Sequence, residues 1–109
     1  MTETTARLEP RPLSRDQAIQ RLRSVEPEIR AMGIVSLYLF GSTVRDQARP
    51  DSDIDLFGEL EPGRVFGWDY AGLPRMIGDL IHQKADFIAR DGLHPMLKDR
   101  IEASALRIF

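Results

Sequence analysis

The chain contains no cysteine. Disulfides, thiolate zinc sites and cysteine nucleophiles are therefore excluded, and a reducing compartment is a natural setting. An excess of charge of one sign is missing too: 15 lysines and arginines stand against 17 aspartates and glutamates, for a formal net charge of −2. Such a balance supplies no whole-molecule attraction to nucleic acid or to an anionic membrane, so direct nucleic-acid binding is not expected. No apolar run approaches the ~20 residues of a membrane span, and Met1 to Pro12 has no apolar signal core. Together these absences predict a cytoplasmic protein with no membrane partner.

What is present is ordinary in bulk and specific in detail. A length of 109 residues with 42% hydrophobic and 29% charged content fits one globular domain with one modest core. Residues 1–12 are polar, carry two prolines and show no periodicity, which predicts a flexible N-terminal tail before a domain over 13–109. Ser14 followed three residues later by Gln17 is a capping-box helix start. Ile19, Leu22, Val25 and Ile29 recur at helical spacing, while Pro27 implies either a kink or a short break, and Gly33 suits the helix end. Ile34 to Phe40 reads as a buried strand stopped by Gly41-Ser42. Thr43 to Gln47 is expected to form a short helical turn, and Arg49 to Ser52 a loop.

The second half repeats the alternation. Ile54 to Leu60 is a second strand, Trp68 to Gln83 a helix interrupted in composition by Pro74 and Gly78, and Ala85 to Ala89 a third strand. His94-Pro95 opens a last helix with Leu97, Ile101 and Ala105 as its expected inner stripe. Helices alternating with three strands predict an α/β (α+β) layered domain with a small sheet.

Chemistry concentrates around the second strand. Asp53 and Asp55 are two residues apart at its start, so strand geometry turns both carboxylates to one side while Ile54 faces the other. Adjacent carboxylates repel unless a divalent cation neutralises them, and Mg²⁺ is the hard ion held by carboxylates together with substrate phosphates. Asp86, an acidic residue among Ala85, Phe87 and Ile88, supplies a third carboxylate if its strand pairs beside the second. Three such groups could hold two ions about 3.5–4 Å apart. At the end of the first strand, Gly41 permits a sharp turn and close approach of phosphate, Ser42 offers a hydroxyl, and Arg45 a countercharge.

Each element alone has a plainer explanation. Gly-Ser is ordinarily a turn, and Asp-x-Asp an exposed acidic pair. The conjunction is far more specific: strand, Gly-Ser, ten residues, Asp-x-Asp opening a strand, and a later strand carrying Asp86. A calcium loop beginning at Asp51 fails, because Leu56 and Pro62 stand where glycine and glutamate are required. A Walker loop is absent, since no Gly-Lys-Ser/Thr occurs. His82 and His94 lack partners with ligand spacing, and Trp68 and Tyr70 read more readily as core or interface residues than as a base-stacking pair.

The stretch Leu39-Phe40-Gly41-Ser42-Thr43-Val44-Arg45, taken with Ser52-Asp53-Ile54-Asp55-Leu56, resembles the MNT-type minimal nucleotidyltransferases of the DNA polymerase β superfamily. The resemblance runs from about Leu13 to the C-terminus. It implies a small mixed β-sheet flanked by helices in a polymerase-β-like nucleotidyltransferase fold. It also implies Asp53, Asp55 and Asp86 as catalytic metal ligands, and Gly41, Ser42, Arg45 and Ser52 as nucleotide-binding residues. Mg²⁺, as a pair of ions, and ATP as substrate follow from it. Many members are antitoxins encoded beside a HEPN-domain ribonuclease toxin, to whose tyrosine they transfer AMP. Here Val44, Arg45 and Asp46 stand where the family pattern tends to have Ala-Arg-Gly. The expected activity is therefore AMP transfer to a hydroxyl on a HEPN-type toxin. Neutralisation by binding alone and nucleotidyl transfer to a small molecule are the alternatives, and a homo- or hetero-oligomer is open.

Overall fold

The computed structural model describes residues 13–47 and 53–109. The expected tail over 1–12 and the expected loop over Arg49 to Ser52, with the candidate Ser52, lie outside the described residues.

Ser14 caps the first helix, α1 (Arg15–Ser24), through the reciprocal bonds expected of a capping box: the Ser14 hydroxyl accepts from the Gln17 N–H and the Gln17 side chain from the Ser14 N–H. The Pro27 conflict resolves as a break. α1 stops at Val25, and α2 (Glu26–Ala31) begins with proline in its first turn, where the missing N–H costs no helical bond. Gly33 then adopts φ +96, the left-handed conformation that ends a helix without strain, and β1 (Ile34–Phe40) follows. Gly41–Thr43 is a 3₁₀ turn, so the helical turn expected over Thr43 to Gln47 sits two residues earlier.

β2 (Ile54–Leu60) runs antiparallel to β1, and α3 (Asp69–Ile81) crosses over to β3 (Ala85–Ala89), which lies parallel to β2. α3 starts one residue later and ends two earlier than the sequence pattern suggested. The physical reason at its end is His82, whose φ of 56 places it in the left-handed cap. Gly78 permits this ending, since a methyl there would meet the Gln83 carbonyl oxygen at 2.8 Å. Pro74 is carried inside the helix because Leu73, Ile77 and Ile81 bury on the same face.

After a 3₁₀ turn (Arg90–Gly92), α4 (Pro95–Ser104) leads into β4 (Leu106–Arg107), a strand that sequence reading did not anticipate. Among the described residues the sheet is four-stranded, in the order β3-β2-β1-β4. It is a mixed sheet with helices, an α+β domain.

The two faces of the sheet differ in kind. One face carries Leu37 and Leu39 of β1, Ile54 and Leu56 of β2, and Ala85 and Phe87 of β3, packed under Ala18, Leu22, Ile29, Leu73, Ile77 and Ile81 from α1, α2 and α3. The alternate residues line the other face in register: Tyr38 beside Phe57, Phe40 beside Asp55, and Asp55 beside Asp86. Tyr38 and Phe57 stack with centroids 4.8 Å apart and planes within 7°. α4 lies toward this second face. The expected inner stripe of α4 is corrected by the structure: Leu97 is 46% exposed, no residue of the helix is buried, and Ala105 falls beyond its last turn. Polar contacts and the preceding Leu93, which is buried, hold the helix instead, chiefly the Arg90 Nε bond to Glu102 at 2.7 Å.

Phe57 is fully buried at the centre of this second face, so Phe57→Ala should cost about 3–5 kcal/mol of unfolding free energy, the usual range for a buried aromatic truncation. Urea unfolding monitored by circular dichroism measures it; a loss below about 1 kcal/mol would show that the second face contributes little to the fold.

Candidate active site

Three strand ends converge at one edge of the second face. β1 delivers Phe40 and the turn Gly41-Ser42, β2 begins just after Asp53 and carries Asp55, and β3 carries Asp86. The parallel register sets Asp55 directly beside Asp86, and the antiparallel register sets Asp55 directly beside Phe40. The ladder starts at Ile54, whose N–H donates to the Lys84 carbonyl at 2.9 Å, which aligns the chain preceding β2 with the chain preceding β3.

Gly41 is required here for two independent reasons. Its φ is +81, and a methyl at this position would land on the Asp55 carboxylate. The turn and the acidic group are thus packed backbone against side chain. Ser42 is half-buried, and among the described residues its hydroxyl has no hydrogen-bond partner; its carbonyl accepts the N–H groups of Arg45 and Gln47 at 3.1 and 2.9 Å. Arg45 is exposed and donates to the Gln47 amide at 3.1 Å. Asp46 is directed away from this turn: at φ 54 its carboxylate accepts the Arg15 N–H at 2.7 Å, which joins the turn to α1.

Electrostatics register the crowding. Burial, with Asp86 and Asp53 adding like charge, holds the Asp55 carboxyl above the usual carboxylate range. Asp53 has a partner in Lys84, 3.8 Å away, but this ammonium is largely exposed and the pair is correspondingly weak. Among the described residues no three acidic or histidine side chains converge into a ready-made metal cage. The backbone register still sets Asp55 beside Asp86. The donor set is nevertheless that of a hard cation: carboxylate oxygens on neighbouring strands, one of them held close to the turn by a glycine.

The other sequence candidates fall outside this cluster. His94 caps α4, its Nδ1 accepting the Met96 N–H at 3.1 Å. The Tyr70 hydroxyl accepts the Ala89 N–H at 3.1 Å, fixing α3 to β3, and its ring packs edge-on to Phe66. Trp68 is 96% exposed and contributes to neither core nor site. Beside Gly41, α4 contributes a feature that sequence reading missed. A groove of about 520 Å³ runs between the Gly41 turn and Leu97, Arg100 and Ile101, with Arg45 at its rim.

The architecture and the motif agree with known proteins. The nucleotidyltransferase domain model matches residues 18–108. This chain belongs to the nucleotidyltransferase domain family. A relative from Methanocaldococcus jannaschii, named a "putative protein adenylyltransferase", is 28% identical over 86 residues, covering 79% of this chain and 91% of the relative. A solved structure described as a "putative minimal nucleotidyltransferase" superposes with a TM-score of 0.71 at 30% identity, covering 86% of this chain and 95% of that one. A toxin–antitoxin structure with AMP-PNP shares the fold, with a TM-score of 0.61 at 18% identity over 89% of this chain and 73% of that one. The nucleotidyltransferase is therefore an enzyme by family, with the small mixed sheet of its structural neighbours.

The raised Asp55 carboxyl gives a signed prediction. A carboxyl that holds its proton more tightly when folded than when unfolded opposes folding once both states are ionised, and the penalty vanishes as pH falls below the unfolded value of about 4. Asp55→Asn should therefore raise Tm at pH 7 in chelator, and the gain should shrink on acidification toward pH 4. Differential scanning fluorimetry across that range checks it, and a lower Tm for the variant at pH 7 would show that Asp55 supports the fold rather than straining it.

Proposed function

We propose that this nucleotidyltransferase transfers AMP from ATP, with Mg²⁺, to a hydroxyl on a partner protein, and that the partner is a HEPN-type ribonuclease toxin modified on a tyrosine. The observation that carries the reading is the register that sets Asp55 beside Asp86 with the Asp55 carboxylate packed on Gly41. The relative named as a protein adenylyltransferase supports a protein acceptor, and the fold shared with a toxin–antitoxin complex supports the antitoxin role. On this reading Asp53, Asp55 and Asp86 are the catalytic residues that hold the metal, and Gly41, Ser42, Arg45 and Ser52 receive the nucleotide.

The chemistry is an in-line displacement at the α-phosphorus. The acceptor oxygen forms a bond to that phosphorus, the bond from it to the bridging oxygen breaks, and pyrophosphate leaves with the electron pair. Bound Mg²⁺ would supply charge neutralisation for the phosphates and the acceptor oxygen. Gly41 lets the phosphates approach the backbone, the Ser42 hydroxyl donates to a phosphate oxygen, and Arg45 offsets the charge of the leaving group. Asp86, exposed on the edge strand, would take the proton of the acceptor hydroxyl. The rate enhancement is then mainly positioning and charge stabilisation.

Labelled ATP, Mg²⁺ and the product of the neighbouring gene provide the test. The expected result is label on a partner tyrosine, reduced by about 10²–10³-fold or more in Asp53→Asn, the scale of losing one charge-stabilising group. Removing divalent metal with chelator should abolish the label in the wild type. An unlabelled partner that is nonetheless neutralised equally by wild type and Asp53→Asn would establish inhibition by binding alone.

A further inference from the structure

The groove between the Gly41 turn and α4 is not used by the carboxylates, yet it shares Gly41 with them. Phe40 and Gly41 form one side, while Leu97 and Ile101 give an apolar wall and Arg45 and Arg100 bring two guanidinium groups. Among the described residues no acidic side chain lines it. Among the described residues, neither Arg45 nor Arg100 has a carboxylate within 4.0 Å, in contrast to Arg90, which is bonded to Glu102 and lies 3.5 Å from Glu59. Leu97 remains 46% exposed beside them. Two guanidinium groups beside an exposed aliphatic surface match a ligand with several negative charges and an apolar part. The volume of about 520 Å³ is within the range of small-molecule sites.

Charge decides which ligand. Gly41 belongs to both surroundings: the Asp55 carboxylate, with Asp53 and Asp86 near it, packs against this glycine, and the same glycine lines the groove with Arg45 and Arg100. A polyphosphate lying over Gly41 meets cation-holding carboxylates on one flank and guanidinium groups on the other. An acidic or neutral peptide would gain nothing from the carboxylate flank, and inorganic phosphate would leave the apolar wall of Leu97 and Ile101 uncovered. We infer that Arg100, on α4, is a nucleotide-binding residue: together with Arg45 it grips the phosphate tail of a nucleoside triphosphate that covers Leu97 and Ile101 with its apolar part. This assignment rests on the nucleotidyltransferase reading of the Gly41-Ser42 turn, and adds to it a wall built from the last helix.

Isothermal titration calorimetry of the full chain with the β,γ-imido analogue of ATP and with AMP, both in Mg²⁺, tests it. Arg100→Ala should weaken the imido analogue by about tenfold to a hundredfold, the scale of a lost charge-assisted contact, while changing AMP affinity by less than about threefold. Arg100→Lys should recover part of the loss, because it keeps the charge without the fork. Arg100 is exposed, so the variants should keep the wild-type Tm, which a thermal scan confirms. If the wild type binds the analogue and Arg100→Ala binds it within twofold, the assignment of Arg100 is overturned while the nucleotidyltransferase reading stands. If the wild type binds neither nucleotide, the reading itself fails and the assignment with it. An equal loss for AMP and for the analogue would place Arg100 away from the phosphate tail and also overturn it.

Discussion

The contact between Gly41 and the Asp55 carboxylate is the constraint around which the rest of the site is arranged. A strand pair brings the two together, since Phe40 and Asp55 are partners in the antiparallel ladder and Gly41 follows directly. Any side chain at the turn would displace the carboxylate, and the positive φ would be strained as well. The carboxylate is in turn pressed toward Asp86 by the parallel register of β2 and β3. The fold therefore holds like charges near one another and near a small turn, at a cost to its own stability that Asp55 records as a carboxyl reluctant to ionise. Strain of this kind persists only when the surroundings over-determine the geometry. Here they do: Ile54 and Leu56, which flank Asp55, are buried under the three helices on the opposite face.

That division of labour between faces explains how 109 residues can carry both a core and a reactive edge. α1, α2 and α3 cover one side of the sheet with nearly all the buried aliphatic residues. The second side is stabilised differently, by Tyr38 stacked on Phe57 and by Arg90, which lies 5.0 Å from the Tyr38 ring centroid and bonds to Glu102 of α4. The bond to Glu102 is the chief reason that Arg90 holds its proton even more firmly than an ordinary arginine. C-terminal residues join in: Leu37 exchanges backbone hydrogen bonds with Ile108 and Phe109, and Arg23 of α1 donates to the Ile108 carbonyl at 3.1 Å.

Much of this was legible in the residue order, and the exceptions have physical causes. The three longer strands follow from runs rich in aliphatic and aromatic residues, the first closed by Gly41 and the second by Glu61-Pro62-Gly63, signals that depend only on neighbours in sequence. The Gly-Ser and Asp-x-Asp pair was readable for the same reason. Asp86 was readable as an acidic residue in an apolar strand, but its position beside Asp55 depends on β3 pairing with β2, which no local pattern states. β4 has two residues and exists only because β1 offers an edge, so it leaves no pattern of its own. α4 misled the periodicity argument. Leu97 and Ile101 do share a face, but that face borders the groove and not the core, and helical spacing reports that residues are on one side without reporting what that side meets. Arg100 was invisible on the same grounds, one charged residue in a helix rich in them.

The near-neutral net charge concealed the most informative electrostatic feature. A sum of −2 over the chain is compatible with charges scattered evenly or sorted by position, and only the fold distinguishes these. Around Gly41 they are sorted, with carboxylates at the starts of β2 and β3 and guanidinium groups on the turn and α4. The sorting has a mechanical consequence. The carboxylate wall is built on strands whose neighbours are core residues, so its position is fixed by the most stable part of the molecule. Of the guanidinium groups, Arg100 rides on α4, which buries no residue of its own and is held by Leu93 and the Arg90–Glu102 bond. The carboxylates are therefore held by the core and Arg100 by a few polar contacts, and a molecule that bridges them meets its resistance on the strands and its adjustment on the α4 side.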